Sequence, residues 1–331
     1  MAEKQPKRVV ITGASSGIGA ATAEAFAKNG GRLVLAARSA EGLEDVAARC
    51  RGAGGEAVVV VTDVTDAAAV AALAKRAQTE LDGIDVWFSN VGIGAVGRFT
   101  EVPIEAHRKV IEANLLGHIH DAHAALPIFL AQGRGVFVNM ISVGGFVATP
   151  FAAAYSASKY GLRGLSEALR GEMAKHRGIH ICDVYPSFVD TPGLQHAGNY
   201  TGGKLSVPPG VLNPRTVAKA VVRLADRPRP TTVIGASSTM VKLTSVAAPN
   251  FTSGVMARYF DHYFAKADRV PQTGGSLFAP REGADGIDGG LRRPEQRRTA
   301  AIAAGGLGLA ALAAGGVALW RRSEGRSSGR S

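Results

Sequence analysis

At 331 residues, 46% hydrophobic and 20% charged, the chain can bury a sizeable core and is too apolar to be a disordered polymer. The net charge of +11 is uneven: residues 292–331 hold eight arginines against Glu295 and Glu324, so most of the excess sits in a tail. That placement, with no interleaving of basic and aromatic residues, argues against a nucleic-acid partner. Cys50 and Cys182 are the only cysteines, which argues against a disulfide framework or a zinc site and fits a reducing compartment.

In chain order, short Val/Ile/Leu runs alternate with longer helical patterns. The lead MAEKQPK is charged, reads as no secretory signal, and passes straight into a strand over 8–12. A glycine turn, TGASSGIG, follows, with Gly13, Gly17 and Gly19, and then a helix over 17–29. Placed between a strand and a helix, those glycines let the backbone turn tightly and bring a pyrophosphate to the helix N-terminus. Further strands are expected over 32–36, 56–61, 84–89, 135–141, 179–185 and 231–235, and helices over 67–81, 104–132, 154–177 and 214–226. Near-continuous apolar strands alternating with helices specify an α/β chain: a Rossmann-like, doubly wound parallel sheet of about seven strands flanked by helices. Residues 1–239 form this body.

The remainder reads as four pieces. Residues 240–273 are amphipathic and aromatic, and are expected as a helical extension packed on the body; a dimer contact or a membrane-resting segment are the alternatives. Residues 274–298 are rich in Gly, Asp and Arg and read as a linker. Residues 299–320 carry no charge, are flanked by arginines and end on Trp320, which suits a membrane-spanning helix for a hydrocarbon core of ~30 Å. Gly306, Ala310 and Ala314 would permit close helix packing, while a flexible Ala/Gly linker or a helix lying against the body are the other readings. Residues 321–331 are a basic tail.

The chemistry concentrates in AAYSASKYG, residues 153–161, where Tyr155 and Lys159 are one helical turn apart. An ammonium beside a phenol stabilises the phenolate and lowers its pKa, giving a group that can donate or accept a proton at a carbonyl or alcohol oxygen. A Tyr and Lys at this spacing also occur on solvated helices, so the pair needs company.

It has company. Over about residues 7–235 the sequence resembles the short-chain dehydrogenase/reductase family. Thr12-Gly13-xxx-Gly17-x-Gly19 matches the family's cofactor loop, and Asp63-Val64 the site of its adenine-contacting aspartate. Ser89-Asn90-Val91-Gly92 matches its NNAG motif with Ser for the first Asn, and Pro186 through Thr191 matches PGxxxT with Ser187 for Gly. Asn114, Ser142, Tyr155 and Lys159 match its catalytic tetrad. The resemblance implies carbonyl–alcohol interconversion with a nicotinamide cofactor: Tyr155 as proton donor and acceptor, Ser142 on the substrate oxygen, Lys159 on Tyr155 and the ribose, Asn114 holding a water. It further implies that Ser15, Ser16, Ile18, Asn90, Val189 and Thr191 line the cofactor, and that the protein is a homo-oligomer.

Cofactor choice turns on the end of the second strand. An acidic residue there would bind a ribose hydroxyl and repel a 2′-phosphate, but the positions are Ala36 and Ala37, followed by Arg38. NADP(H) is therefore expected over NAD(H). Gly144, Phe146, Phe188 and Leu194, with Ser142, are expected to line an apolar substrate pocket, and a membrane-tethered cytoplasmic enzyme would meet lipophilic carbonyls or alcohols there. Two rivals on the same fold are a non-catalytic NADP-binding sensor and a membrane-associated scaffold.

Overall fold

In a computed structural model of the protein, residues 5–207, 210–235, 249–280 and 286–292 are described. Seven parallel strands form the sheet: β1 (Arg8–Thr12), β2 (Arg32–Ala37), β3 (Glu56–Val61), β4 (Val86–Ser89), β6 (Gly135–Met140), β7 (Ile179–Pro186) and β9 (Thr231–Ile234). Their order is β3-β2-β1-β4-β6-β7-β9. A second, two-stranded parallel ladder joins β5 (Ala95–Val96) to β8 (Gly198–Asn199), a pairing too short to leave a periodic signal. The chain reverses direction across the sheet between β1 and β4, and ligands of such sheets bind beyond the strand ends at that switch point.

The strands carry apolar side chains on both faces because helices cover both. One apolar cluster joins Val9, Ile11, Leu33 and Leu35 to α1 (Gly17–Ala27), α2 (Ala40–Gly52) and α8 (Pro214–Leu224). The other joins Val10, Val34, Trp87 and Phe137 to α3 (Ala67–Leu81) and α5 (Gly117–Gln132). Local chemistry sets the helix starts: the Ser39 hydroxyl accepts from Gly42 N–H, Asp66 from Ala68 and Ala69, and Asn213 from Arg215 just before Pro214.

The helix expected over 104–132 is interrupted. α4 (Ile104–Ile111) passes into a π-helical turn, Glu112–Leu116, before α5 begins. The π-turn contains Asn114, and such turns are common at functional positions. The long helix α6 (Ala153–Glu172) carries Tyr155 and Lys159. α7 (Gly193–His196) is a single turn in the loop after β7.

The extension α9 (Pro249–Lys266) lies on the body beside the loop before α6. Phe264 and Phe260 sit 5.1 and 6.1 Å from Phe151, ring centre to ring centre, and Asp261 pairs with Arg98 at 2.7 Å. The stretch read as a linker is docked wherever it is described: Leu277 and Ile287 are 2% and 4% exposed. Glycine and aspartate gave it the composition of a linker, but two well-spaced apolar residues and its backbone bonds hold it down. The span expected over 299–320 lies outside the described residues; among those described, no helix is long and apolar enough to cross a membrane.

Candidate active site

The glycine turn is demanded by the geometry of its backbone. A Cβ on Gly19 would overlap the Gly13 carbonyl oxygen, and Gly13 itself has φ +67° with Asn90 Nδ2 and Val91 N against it. The Asn90 side chain donates to the Gly13 carbonyl at 3.1 Å, tying the loop after β4 to the loop after β1. Ser16 precedes α1 without capping it through its side chain; the Gly17 N–H donates instead to the Gly286 carbonyl at 3.0 Å. Ser15 packs beside Gly42, and the Ile18 carbonyl accepts from Thr22.

Beneath this loop lies a buried carboxylate. Asp121 Oδ2 accepts from Thr12 Oγ1 at 2.7 Å and from Ser89 Oγ at 2.6 Å, and burial pushes its pKa up to about 6. Ser89, the departure from the NNAG pattern, thus has a specific partner. Asp121 was not singled out by sequence reasoning. Its only signal is a charge within the otherwise apolar segment DAHAALPIF.

The residues expected to carry the proton chemistry come from the loop after β6, the π-turn and α6. Ser142, two residues beyond β6, has φ +119°, a conformation costly for a residue with a side chain and typical of over-determined functional sites. Its hydroxyl accepts from Gly144 N–H at 3.2 Å and lies near the Tyr155 side chain. A Cβ on Gly144 would come within 3.2 Å of the Tyr155 ring, so the turn must be small there. Lys159, 3% exposed, donates to the Met140 carbonyl at 3.0 Å, and its Nζ is 5.7 Å from the Tyr155 ring centre.

The electrostatics differ from the simple expectation that Lys159 lowers the tyrosine. Burial is the largest influence on both groups: it raises the Tyr155 hydroxyl, with the Ser142 hydroxyl pulling down, and it lowers Lys159 to about 7. A half-neutral ammonium nearly 6 Å away stabilises a phenolate weakly. Asn114, fully buried, is held by Ile93 on both sides of its amide, at 2.8 and 2.9 Å, and donates to Ser158 at 3.3 Å.

The sequence matches the short chain dehydrogenase family over residues 7–200, more than half of the chain. The chain belongs to the short chain dehydrogenase family. Among its relatives, a ketoacyl reductase of a Nostoc species is 33% identical over 217 residues, which is 66% of this chain and 74% of that protein. An alcohol dehydrogenase of the archaeon Thermococcus sibiricus, solved with 5-hydroxy-NADP, superposes with a TM-score of 0.61 at 29% identity, covering 70% of this chain and 96% of that one. A short chain dehydrogenase/reductase of Burkholderia phymatum, solved with NAD, gives a TM-score of 0.63 at 26% identity, covering 82% and 100%. This dehydrogenase is accordingly an oxidoreductase of CH–OH and C=O groups.

The remaining expected residues of the dehydrogenase divide. Asp63 is exposed and accepts from Thr65 N and Oγ1 at 2.9 and 2.8 Å, in a turn; Val64 is buried against Gly117. Pro186 ends β7, the Ser187 hydroxyl is buried without a partner, and Val189 and Asp190 are tied to Leu212. Thr191 comes within contact of Gly17, so the loop after β7 closes on the glycine turn. Arg38 donates to the Ser276 carbonyl at 2.9 Å.

Phe146 is 7% exposed, 4.3 Å from Tyr185 ring to ring, and belongs to a core cluster with Ile141 and Leu162. Phe188 is 45% exposed and Leu194 half-buried, which leaves both accessible. Phe151, with φ +66°, packs against α9.

Proposed function

We propose that this dehydrogenase interconverts a carbonyl and an alcohol with NADP(H) in preference to NAD(H), using Tyr155 as general acid and base. The observation that carries the reading is the convergence of Ser142 and Tyr155 around Gly144, with Lys159 behind them, beside a glycine turn that has no room for a side chain. Those glycines, an α1 N-terminus that no side chain caps and the buried, unpartnered Ser187 hydroxyl fit a dinucleotide. The nicotinamide would supply or accept the hydride.

The protein's own residues would handle the proton and the oxygen. In reduction the Tyr155 hydroxyl gives its proton to the carbonyl oxygen, and in oxidation the phenolate takes one from the alcohol. Ser142, already within reach of Tyr155, donates to the same oxygen and stabilises the charge that develops there. Lys159, buried with its Nζ toward the Tyr155 ring, would favour the phenolate when charged and hold the nicotinamide ribose. Asn114 fixes the π-turn against Ile93, and its proposed water link to Lys159 would use the remaining acceptor site of its amide. Asp63 would meet the adenine.

Arg38, following Ala36 and Ala37, supports the NADP(H) preference through charge-assisted bonds to a 2′-phosphate. Phe151, Phe188 and Leu194 support a lipophilic substrate, and residues 299–320 support a membrane tether that would concentrate it. Assembly as a homo-oligomer completes the reading.

Oxidation of NADPH and NADH by the full chain, against lipophilic and polar carbonyls with Tyr155→Phe in parallel, tests it. Turnover that favours NADPH and depends on Tyr155 is the expected result. Turnover retained by Tyr155→Phe removes the assigned acid, and faster reaction of polar carbonyls removes the lipophilic assignment.

A further inference from the structure

The two groups suited to the phosphates of a dinucleotide are both bonded to the C-terminal segment. The Gly17 N–H, the first donor of α1, donates to the Gly286 carbonyl at 3.0 Å. Arg38, at the far side of the cleft beyond β2, donates to the Ser276 carbonyl at 2.9 Å. A carbonyl oxygen satisfies a donor as a phosphate oxygen does, and a backbone N–H carries only one proton. The 3.0 Å separation at Gly17 leaves no room for a phosphate between loop and segment.

We propose that residues 286–292 are an intramolecular stand-in for the dinucleotide, a strap that closes the phosphate end of the cleft until NADP(H) displaces it. This rests on the cofactor class assigned under the proposed function.

The strap is anchored on both sides of the cleft. Ile287 is buried in the apolar cluster that contains Ala14, against which Ile18 and Val189 also pack. Asp190, 2% exposed, accepts from Leu291 N–H at 2.7 Å and from Arg292 Nε at 2.8 Å, and its carbonyl accepts from Gly289 N–H at 3.2 Å. Gln195 donates to the Gly289 carbonyl at 2.9 Å, and Asp288 pairs with Arg215 at 2.7 Å. A Cβ on Gly289 would overlap the Thr191 carbonyl oxygen, so the strap lies directly on the loop expected beside the nicotinamide.

These anchors suit reversible closure. Ile287 is the one fully buried apolar residue among the strap's residues, and the ion pair of Asp288 with Arg215 is partly exposed, where such pairs contribute little. A ligand that presents phosphate oxygens to the Gly17 N–H replaces the strap's neutral Gly286 carbonyl with a charged acceptor, which binds the same donor more strongly. The cofactor's apparent affinity is then its intrinsic affinity multiplied by the fraction of open strap.

Hydrogen exchange on the full-length wild-type protein, with and without saturating NADPH, reads the strap directly. Displacement predicts that the amides of Gly289 and Leu291 exchange faster when NADPH is bound. Slower exchange would make the segment a cover over the bound cofactor, and unchanged exchange would make it a fixed part of the fold; either overturns the proposal. Two full-length variants provide a second readout. Gly289→Val and Ile287→Ser should bind NADPH about 10-fold more tightly than wild type if nine molecules in ten are strapped. Equal or weaker binding overturns the strap while leaving the oxidoreductase reading intact. Failure of wild type and both variants to bind NADPH or NADH removes that reading, and the strap with it.

Discussion

The two ends of the cleft are built differently. At the proton-transfer end, Ser142, Tyr155 and Lys159 are fixed by a strained turn, a long helix and burial, and the groups that act are side chains. At the proposed phosphate end, the groups assigned are a backbone N–H and an arginine, and both are bonded to carbonyls of the C-terminal region. The first end is pre-organised at a cost in desolvation; the second is held by contacts that a ligand can exchange. Substitutions at the first should therefore change the chemical step, and at the second the occupancy of the site.

The largest expected effect is at the first end. Tyr155→Phe should lower kcat by roughly 10²–10⁴-fold, the usual range for a general acid, while NADPH binding changes little. Fluorescence titration beside initial rates checks both halves, and a parallel loss of binding would break the separation between the ends.

Lys159→Met should also inactivate the enzyme, yet make it more stable. Burial holds the folded pKa near 7, below the ordinary lysine value of 10.5, so the unfolded chain binds more protons between those values. The wild-type protein therefore gains stability as pH rises across that window, and the advantage of the methionine is greatest at pH 7 and below. A rise in Tm of a few degrees at pH 6, on the order of several kcal/mol reduced by relaxation, should shrink toward pH 10. A fall in Tm at pH 6 would show that the ammonium is better solvated than its burial implies.

At the phosphate end, Arg38→Ala should weaken NADPH by roughly 10- to 100-fold and leave NADH near its wild-type affinity, as expected for losing a charge-assisted bond. Equal losses for both cofactors would place Arg38 elsewhere than at a 2′-phosphate. The smallest effect concerns Asp190, whose carboxyl is held below its ordinary range by the Leu291 N–H and Arg292 despite burial. Its contribution is complete above the unfolded value and is lost as pH falls through the lowered one. Exchange protection at Leu291 should therefore be level from pH 5 to 8 and fall below about 4. Arg292→Ala should move that fall toward higher pH.

The same contrast explains what the sequence disclosed. The sheet was legible strand by strand because seven apolar runs alternate with helical periodicity, and Ser142, Tyr155, Lys159 and the glycines were legible because their residue types and spacing are dictated by chemistry. The π-turn at Asn114 was hidden because EANLLG has the composition of ordinary helix. Asp121 was hidden because its partners, Thr12 and Ser89, are distant in the chain. The strap was hidden most completely: GIDGGLR reads as linker, and its anchors at Gly17, Asp190 and Gln195 are known only once the fold has placed them.

The most direct test of two separable ends is a double-variant cycle on the full-length protein with Tyr155→Phe, Gly289→Val and the pair combined, measuring kcat and the Kd for NADPH. Independence predicts that the tyrosine change acts on kcat alone, the glycine change on Kd alone, and the double variant shows both effects added within about 0.5 kcal/mol. A coupling well beyond that, or a tyrosine variant whose main loss is in Kd, would contradict the account.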